Sequence, residues 1–173
     1  MTEKVKIPPR PKFHEAVVIE RAVEKILTPV QQWLDIRAQF QPKDLKAQLM
    51  ECIDSNGYEY AKKLEARFGW EPDCDLVEIL DRLEPHDAHL TVVQAWVTLY
   101  GIKIPFKIGD RVCTPTLRAG TVKDFDRSTA QLAVQSDGNL NEGKDYRTLI
   151  NFEDAIPILG TIGQPAVAEG GVA

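Results

Sequence analysis

Several groups of side chains in this sequence could do chemistry, and each departs from the pattern that chemistry needs. The stretch Asp137-Gly138-Asn139-Leu140-Asn141-Glu142-Gly143-Lys144-Asp145 sets Asp137, Asn139 and Asn141 at alternate positions, with Asp145 beyond them. That is how a calcium loop begins to present oxygen ligands. However, Glu142 stands where such a loop needs its sharp-turn glycine, and Thr148 where it needs a bidentate glutamate. A polar hairpin loop accounts for the same residues. Cys74, His86 and His89 could start a zinc site, but a structural site takes four ligands and no second cysteine stands a few residues from Cys74. No metal and no cofactor are expected.

Nucleophilic chemistry fares no better. No serine lies in a nucleophile elbow, and no glycine-rich loop precedes a Lys-Ser/Thr pair. Cys52 falls on the apolar stripe of a helix and Cys113 inside a strand, where a buried thiol is inert. The paired carboxylates Asp124 and Asp126 read as a strand end entering a turn. The expectation is a protein that is not an enzyme.

Two charged sets point to binding instead. Arg118, Lys123, Phe125, Arg127, Tyr146 and Arg147 interleave cations with aromatic rings, a combination suited to single-stranded nucleic acid. Between residues 71 and 87, Glu71, Asp73, Asp75, Glu78, Asp81, Glu84 and Asp87 meet only Arg82 as a base. Some of these carboxylates suit helix caps and first turns, and the remainder would make a negative surface for a basic partner.

The elements that must position these residues follow from periodicity. Pro8, Pro9 and Pro11 predict an extended arm over 1–12. A helix is expected over 13–27, with Ile19, Val23 and Ile26 on one stripe. Thr28-Pro29 then reads as a cap and first position of a new helix that turns Trp33, Ile36 or Arg37, and Phe40 to one side. Pro42 opens the next, with Leu45, Leu49 and Cys52 or Ile53 inward and Asn56-Gly57 as its stop. A further helix carries Tyr58, Ala61, Leu64 and Phe68 up to Gly69. Asp73 or Asp75 caps another, with Leu76, Leu80 and Leu83 inward, ended by Pro85. Asp87 opens the last, with Leu90, Val93, Val97 and Tyr100 inward before Gly101.

After the apolar joint Ile102–Pro105 the pattern changes to short β-runs. Strands are expected at 111–114, 121–125, 129–136 and 144–150, then one helical turn at 151–154 and a last strand at 155–158. In the third run, Ala130, Leu132 and Val134 share one face. Pro157 restricts the last run to an edge. The Gly- and Ala-rich stretch 160–173 reads as a flexible tail.

Composition sets outer bounds. The 173 residues carry a net charge of −5. Residues 101–161 hold 8 Lys/Arg and 8 Asp/Glu, so that region lacks the positive excess usual in duplex binders. No apolar run nears the roughly 20 residues that span a bilayer. No secretory leader is expected, because no apolar stretch follows the first basic residues. Three widely spaced cysteines fit a reducing cytoplasm.

Gly109-Asp110-Arg111-Val112, Ala119-Gly120-Thr121-Val122, the strand ending in Asp137-Gly138, and Phe152-Glu153-Asp154-Ala155-Ile156 together resemble an SH3-like small barrel of the KOW or Tudor type. The resemblance covers the last third of the chain and implies a fold and a recognition role. The sequence as a whole therefore predicts an α+β protein, with a helical bundle over 13–101 and a five-stranded SH3-like barrel over 102–159. The expected function is that of a non-enzymatic, protein-binding adaptor, assembly factor or inhibitor, whose partner is basic or processes nucleic acid. The alternative is a nucleic-acid-binding regulator using the barrel face. No membrane association is expected, and a homo-oligomer is compatible with either reading.

Overall fold

One apolar stripe decides the first element. In the computed structural model, which describes residues 7–37, 42–114, 119–137 and 147–158, helix α1 (Ala16–Arg37) runs through Pro29 without a break. Val18, Ala22, Val23, Ile26, Val30, Trp33 and Leu34 are all buried along it. Their spacing keeps one helical face in phase on both sides of the proline. Proline inside a helix costs about 3 kcal/mol, whereas each fully buried large aliphatic side chain contributes roughly 1.5–3 kcal/mol. The continuous stripe therefore overrides the expected restart at Thr28-Pro29. Of the alternatives Ile36 and Arg37, Ile36 is 80% exposed while Arg37 is half-buried over the Trp33 ring, and Phe40 lies outside the described residues.

Short capped helices follow. Asp44 accepts from Ala47 N to start α2 (Leu45–Cys52), and Asn56 accepts from Glu59 N to start α3 (Gly57–Phe68). Asn56-Gly57 is thus an N-terminal signal and not the expected stop, because the asparagine side chain satisfies an amide that the first turn leaves unpaired. Gly69, with φ +69°, closes α3 in the left-handed conformation and returns its N–H to Glu65. Asp73 caps α4 (Cys74–Leu80) by accepting from Leu76 N at 3.0 Å. Pro85 is the first residue of α5 (Pro85–Tyr100), where a missing N–H costs nothing.

The chain divides into two units, Met1–Tyr100 and Gly101–Ala173. The core of the first joins α1 to Leu49, Leu64, Leu76 and Leu80, each essentially inaccessible. Its polar atoms are matched. The Tyr60 hydroxyl donates to the Leu49 carbonyl at 2.6 Å. Trp70 Nε1 donates to Gln48 Oε1 at 2.9 Å, and the Trp70 ring stacks on Trp33 with centroids 6.2 Å apart. Tyr58, expected inward, is 57% exposed, so Tyr60 is the tyrosine that fills this core.

The second unit is a five-stranded antiparallel sheet in the order β4-β3-β2-β1-β5. Its strands are β1 (Arg111–Cys113), β2 (Gly120–Asp126), β3 (Gln131–Ser136), β4 (Arg147–Asn151) and β5 (Ile156–Pro157), with one 3-10 turn, Phe152–Asp154, before β5. Val112, Val122, Leu132, Val134 and Ile150 form its core, and Ile104, Phe106, Phe125 and Phe152 pack half-buried against them. The register slips between Val122 and Asp124, making Lys123 the site of a bulge in β2. Asp126 organises the β2–β3 turn, accepting from Ser128 N at 2.9 Å and from Ser128 Oγ at 2.7 Å. Ala130 completes that turn at φ +52°, a left-handed conformation uncommon for a residue with a Cβ. Among the described residues no helix is long and apolar enough to cross a membrane.

Candidate binding surfaces

The acidic segment divides into carboxylates that hold the helices together and carboxylates that face outward. Asp73 does the most structural work: besides capping α4, it accepts from Trp33 Nε1 at 2.9 Å and pairs with Arg37. The Arg37 guanidinium lies 4.6 Å above the Trp33 ring, so cation, ring and carboxylate form one cluster. Asp81 accepts from Gly57 N at 2.6 Å and fixes the start of α3 against the end of α4. Glu84 and Asp87 both reach Lys25 at 3.2 Å, and these two hydrogen bonds raise the lysine's pKa above its ordinary value. Glu71, Asp75 and Glu78 are exposed, with Asp75 3.9 Å from Arg37.

A groove of about 560 Å³ opens beside them, between α3 and α4. Ala61 and Val77 form its apolar floor, Tyr58 stands at its side, and Glu65, Asp73 and Glu78 supply negative charge. Lys62 is the one cation lining it, and its Nζ is held 5.1 Å from the Tyr58 ring centroid. Cys74 also lines the groove and is exposed. Two of the seven acidic residues of the segment, Asp73 and Glu78, thus meet in one concavity. Tyr58 and Cys74 belong to it as well, although periodicity reads the first as core and the second only as a metal ligand.

The basic and aromatic set is brought together only in part. Arg118 and Tyr146 lie outside the described residues. Lys123 is exposed at the bulge, and Arg147 lies 3.9 Å from Asp124, which offsets its charge. Phe125 and Arg127 do converge, at a groove of about 300 Å³ completed by Ile102, Lys103, Ile104 and Phe106. Ile102, Lys103 and Ile104 could not be assigned to this site from sequence, since they fall in the joint 102–105, and Phe106 directly follows it. Their apolar alternation before the first strand was the available signal.

The remaining candidates have ordinary occupations. The His89 imidazole meets the Pro11 carbonyl at 3.0 Å. Burial raises the pKa of the Cys52 thiol, which favours the neutral form over the nucleophilic thiolate. Among the described residues no group of three or more His, Cys, Asp or Glu side chains is arranged to hold a metal ion. Asp137 pairs with Arg111, and the rest of the loop up to residue 146 lies outside the described residues. No family model, curated protein or solved structure matches the chain.

Proposed function

We propose that this chain is a non-enzymatic binding protein whose partner is another protein, acting as an adaptor, assembly factor or inhibitor. The observation that carries this reading is the α3–α4 groove, where an apolar floor lies under exposed Tyr58 and the charge is predominantly negative. Such a concavity suits an apolar anchor flanked by Lys or Arg. The complementary charge would speed encounter and select against acidic partners, while the anchor would supply most of the affinity. The second unit supports a recognition role through its architecture. Its strand order, the bulge in β2 and the 3-10 turn before β5 favour the SH3-like reading.

The test is capture of the partner with the purified chain, followed by Tyr58→Ala and Glu78→Lys measured separately. Both are surface changes, so circular dichroism should be unaltered, and each should weaken capture by about tenfold, the effect of roughly 1.4 kcal/mol. Capture indifferent to both changes would overturn the assignment of the groove. A turnover activity abolished by Cys74→Ala would overturn the non-enzymatic reading.

A second reading rests on the groove at Phe125 and Arg127. Two cations, Lys103 and Arg127, and two aromatic rings line it with no carboxylate among the lining residues. That composition suits a stacked base and its phosphate. Binding of a labelled single strand at low salt, weakened by Arg127→Glu and by added salt, would favour a nucleic-acid-binding regulator.

A further inference from the structure

The segment Ile7–Lys12 forms no helix or strand, yet it is held on α5 at two points. Trp96 Nε1 donates to the Pro8 carbonyl at 3.1 Å, and a His89 ring nitrogen meets the Pro11 carbonyl at 3.0 Å. The Arg10 guanidinium lies 5.3 Å from the Trp96 ring centroid, and Phe13 packs edge-on against His89 at 5.8 Å. Pro8, Arg10 and Pro11 are half-buried, whereas Ile7, Pro9 and Lys12 point outward.

The spacings match a specific mode of recognition. Three prolines in four residues restrict the backbone to a polyproline II conformation, in which three residues rise about 9.3 Å. His89 and Trp96 are seven residues apart on a helix, a rise of about 10.5 Å. One polyproline turn, from Pro8 to Pro11, therefore spans the two ring residues, running antiparallel to α5. A polyproline segment laid along ring side chains, here with the Trp96 N–H on its carbonyl, is how proline-rich ligands are bound elsewhere. Trp96 is only 7% exposed with the arm in place, so an open arm would leave a large ring uncovered.

We infer that the His89–Trp96 face of α5 is a groove for a Pro-Pro-Arg-Pro-type segment of a partner protein, filled here by the chain's own arm as a competing internal ligand. A tethered arm acts at an effective concentration near millimolar, so it masks the groove from weak ligands and yields to a better or more abundant one. This surface is distinct from the α3–α4 groove, and Tyr58→Ala or Glu78→Lys should leave it unchanged.

The test uses a fluorescein-labelled peptide of residues 7–13, Ile-Pro-Pro-Arg-Pro-Lys-Phe, and anisotropy on full-length proteins. The arm variant Pro8→Ala/Pro11→Ala should bind the peptide about tenfold more tightly than the unaltered chain. Adding Trp96→Phe to that variant should remove the gain, and a peptide with Pro8 and Pro11 replaced by alanine should bind neither protein. Should the arm variant lose its helical circular dichroism, Arg10→Ala gives a milder comparison, with a gain of about threefold. Equal binding by the folded unaltered and arm-variant chains, or binding indifferent to Trp96, would overturn the inference. A doubled mass of the unaltered chain that is lost on Trp96→Phe would also overturn it, by making a second copy's arm the occupant.

Discussion

The buried hydroxyl of Tyr60 donates a 2.6 Å hydrogen bond to the backbone carbonyl of Leu49, tying α3 to the middle of α2. Burial raises the pKa of this phenol far above its ordinary value, and neighbouring Cys52 adds to the shift. In the folded protein Tyr60 stays protonated at pH values where an unfolded tyrosine has ionised. Its contribution is fully present below about pH 10, the ordinary tyrosine value, and is lost as pH rises beyond it. Tyr60→Phe should cost about 1–2 kcal/mol at neutral pH and flatten the alkaline fall in stability. Urea denaturation between neutral pH and pH 11 checks both, and an unchanged alkaline limb in Tyr60→Phe would contradict the assignment.

Gly57→Ala reverses the usual helix trend. Alanine inside a helix normally gains about 0.5–1 kcal/mol over glycine. Here a Cβ at residue 57 would stand 2.5 Å from Asp81 Oδ1 and 2.6 Å from the Val77 carbonyl oxygen. The substitution should instead lose about 1–3 kcal/mol by overpacking. Differential scanning calorimetry of Gly57→Ala and of Gly57→Ala/Asp81→Ala should show the second change recovering only part of the loss, because the Val77 backbone remains in the way.

Pro29→Ala should stabilise the protein. The alanine restores the helical hydrogen bond to the Lys25 carbonyl and removes the ring from the middle of α1. A gain of about 1–3 kcal/mol is expected, read as a higher urea midpoint with an unchanged slope. A lower midpoint would mean that the half-buried ring packs more usefully than it strains.

Asp126 sets an acid-side limit for the sheet. Hydrogen bonds from Ser128, then from Thr129, hold its carboxyl below the usual aspartate range. Because the folded pKa is depressed, this stabilisation is present above about pH 3.9, the ordinary aspartate value, and is lost as pH falls through the folded value. Asp126→Ala should open the β2–β3 turn and make the sheet unit less sensitive to acid. Amide exchange at Ser128 and Thr129 between pH 3 and pH 6 checks this.

The sequence is legible where a local signal and the tertiary packing agree. Asp73 before Leu76 and Leu80 caps α4, and Gly69 closes α3, because caps act within one turn of chain. Leu132 and Val134 bury on one face of β3 as expected, whereas Ala130 is buried in the turn before the strand and Ala133 is buried as well. It misleads where the two compete. Pro29 and Asn56-Gly57 are strong punctuation, but the phase of the α1 stripe overrides the first, and the second begins a helix instead of ending one. The candidate surfaces were half visible. Charge in the acidic segment is plain in the sequence, whereas the concavity at Tyr58 and Val77 exists only once α3 and α4 pack. The docking of Pro8 on Trp96 joins residues 88 positions apart, and no local pattern encodes such a pairing.

The last strand has a consequence for how copies of this protein coexist in concentrated solution. Outermost beyond β1, it offers two residues, and Pro157 brings no N–H to that rim. An incoming chain would find too few amides there to register against, so ladder growth from one molecule to the next is discouraged on that flank. The opposite flank, β4, carries a Leu149 that is 56% exposed beside an Arg147 whose charge Asp124 offsets. Fibrous self-association, if provoked by crowding, should start at β4, and an added lysine at Leu149 should slow it.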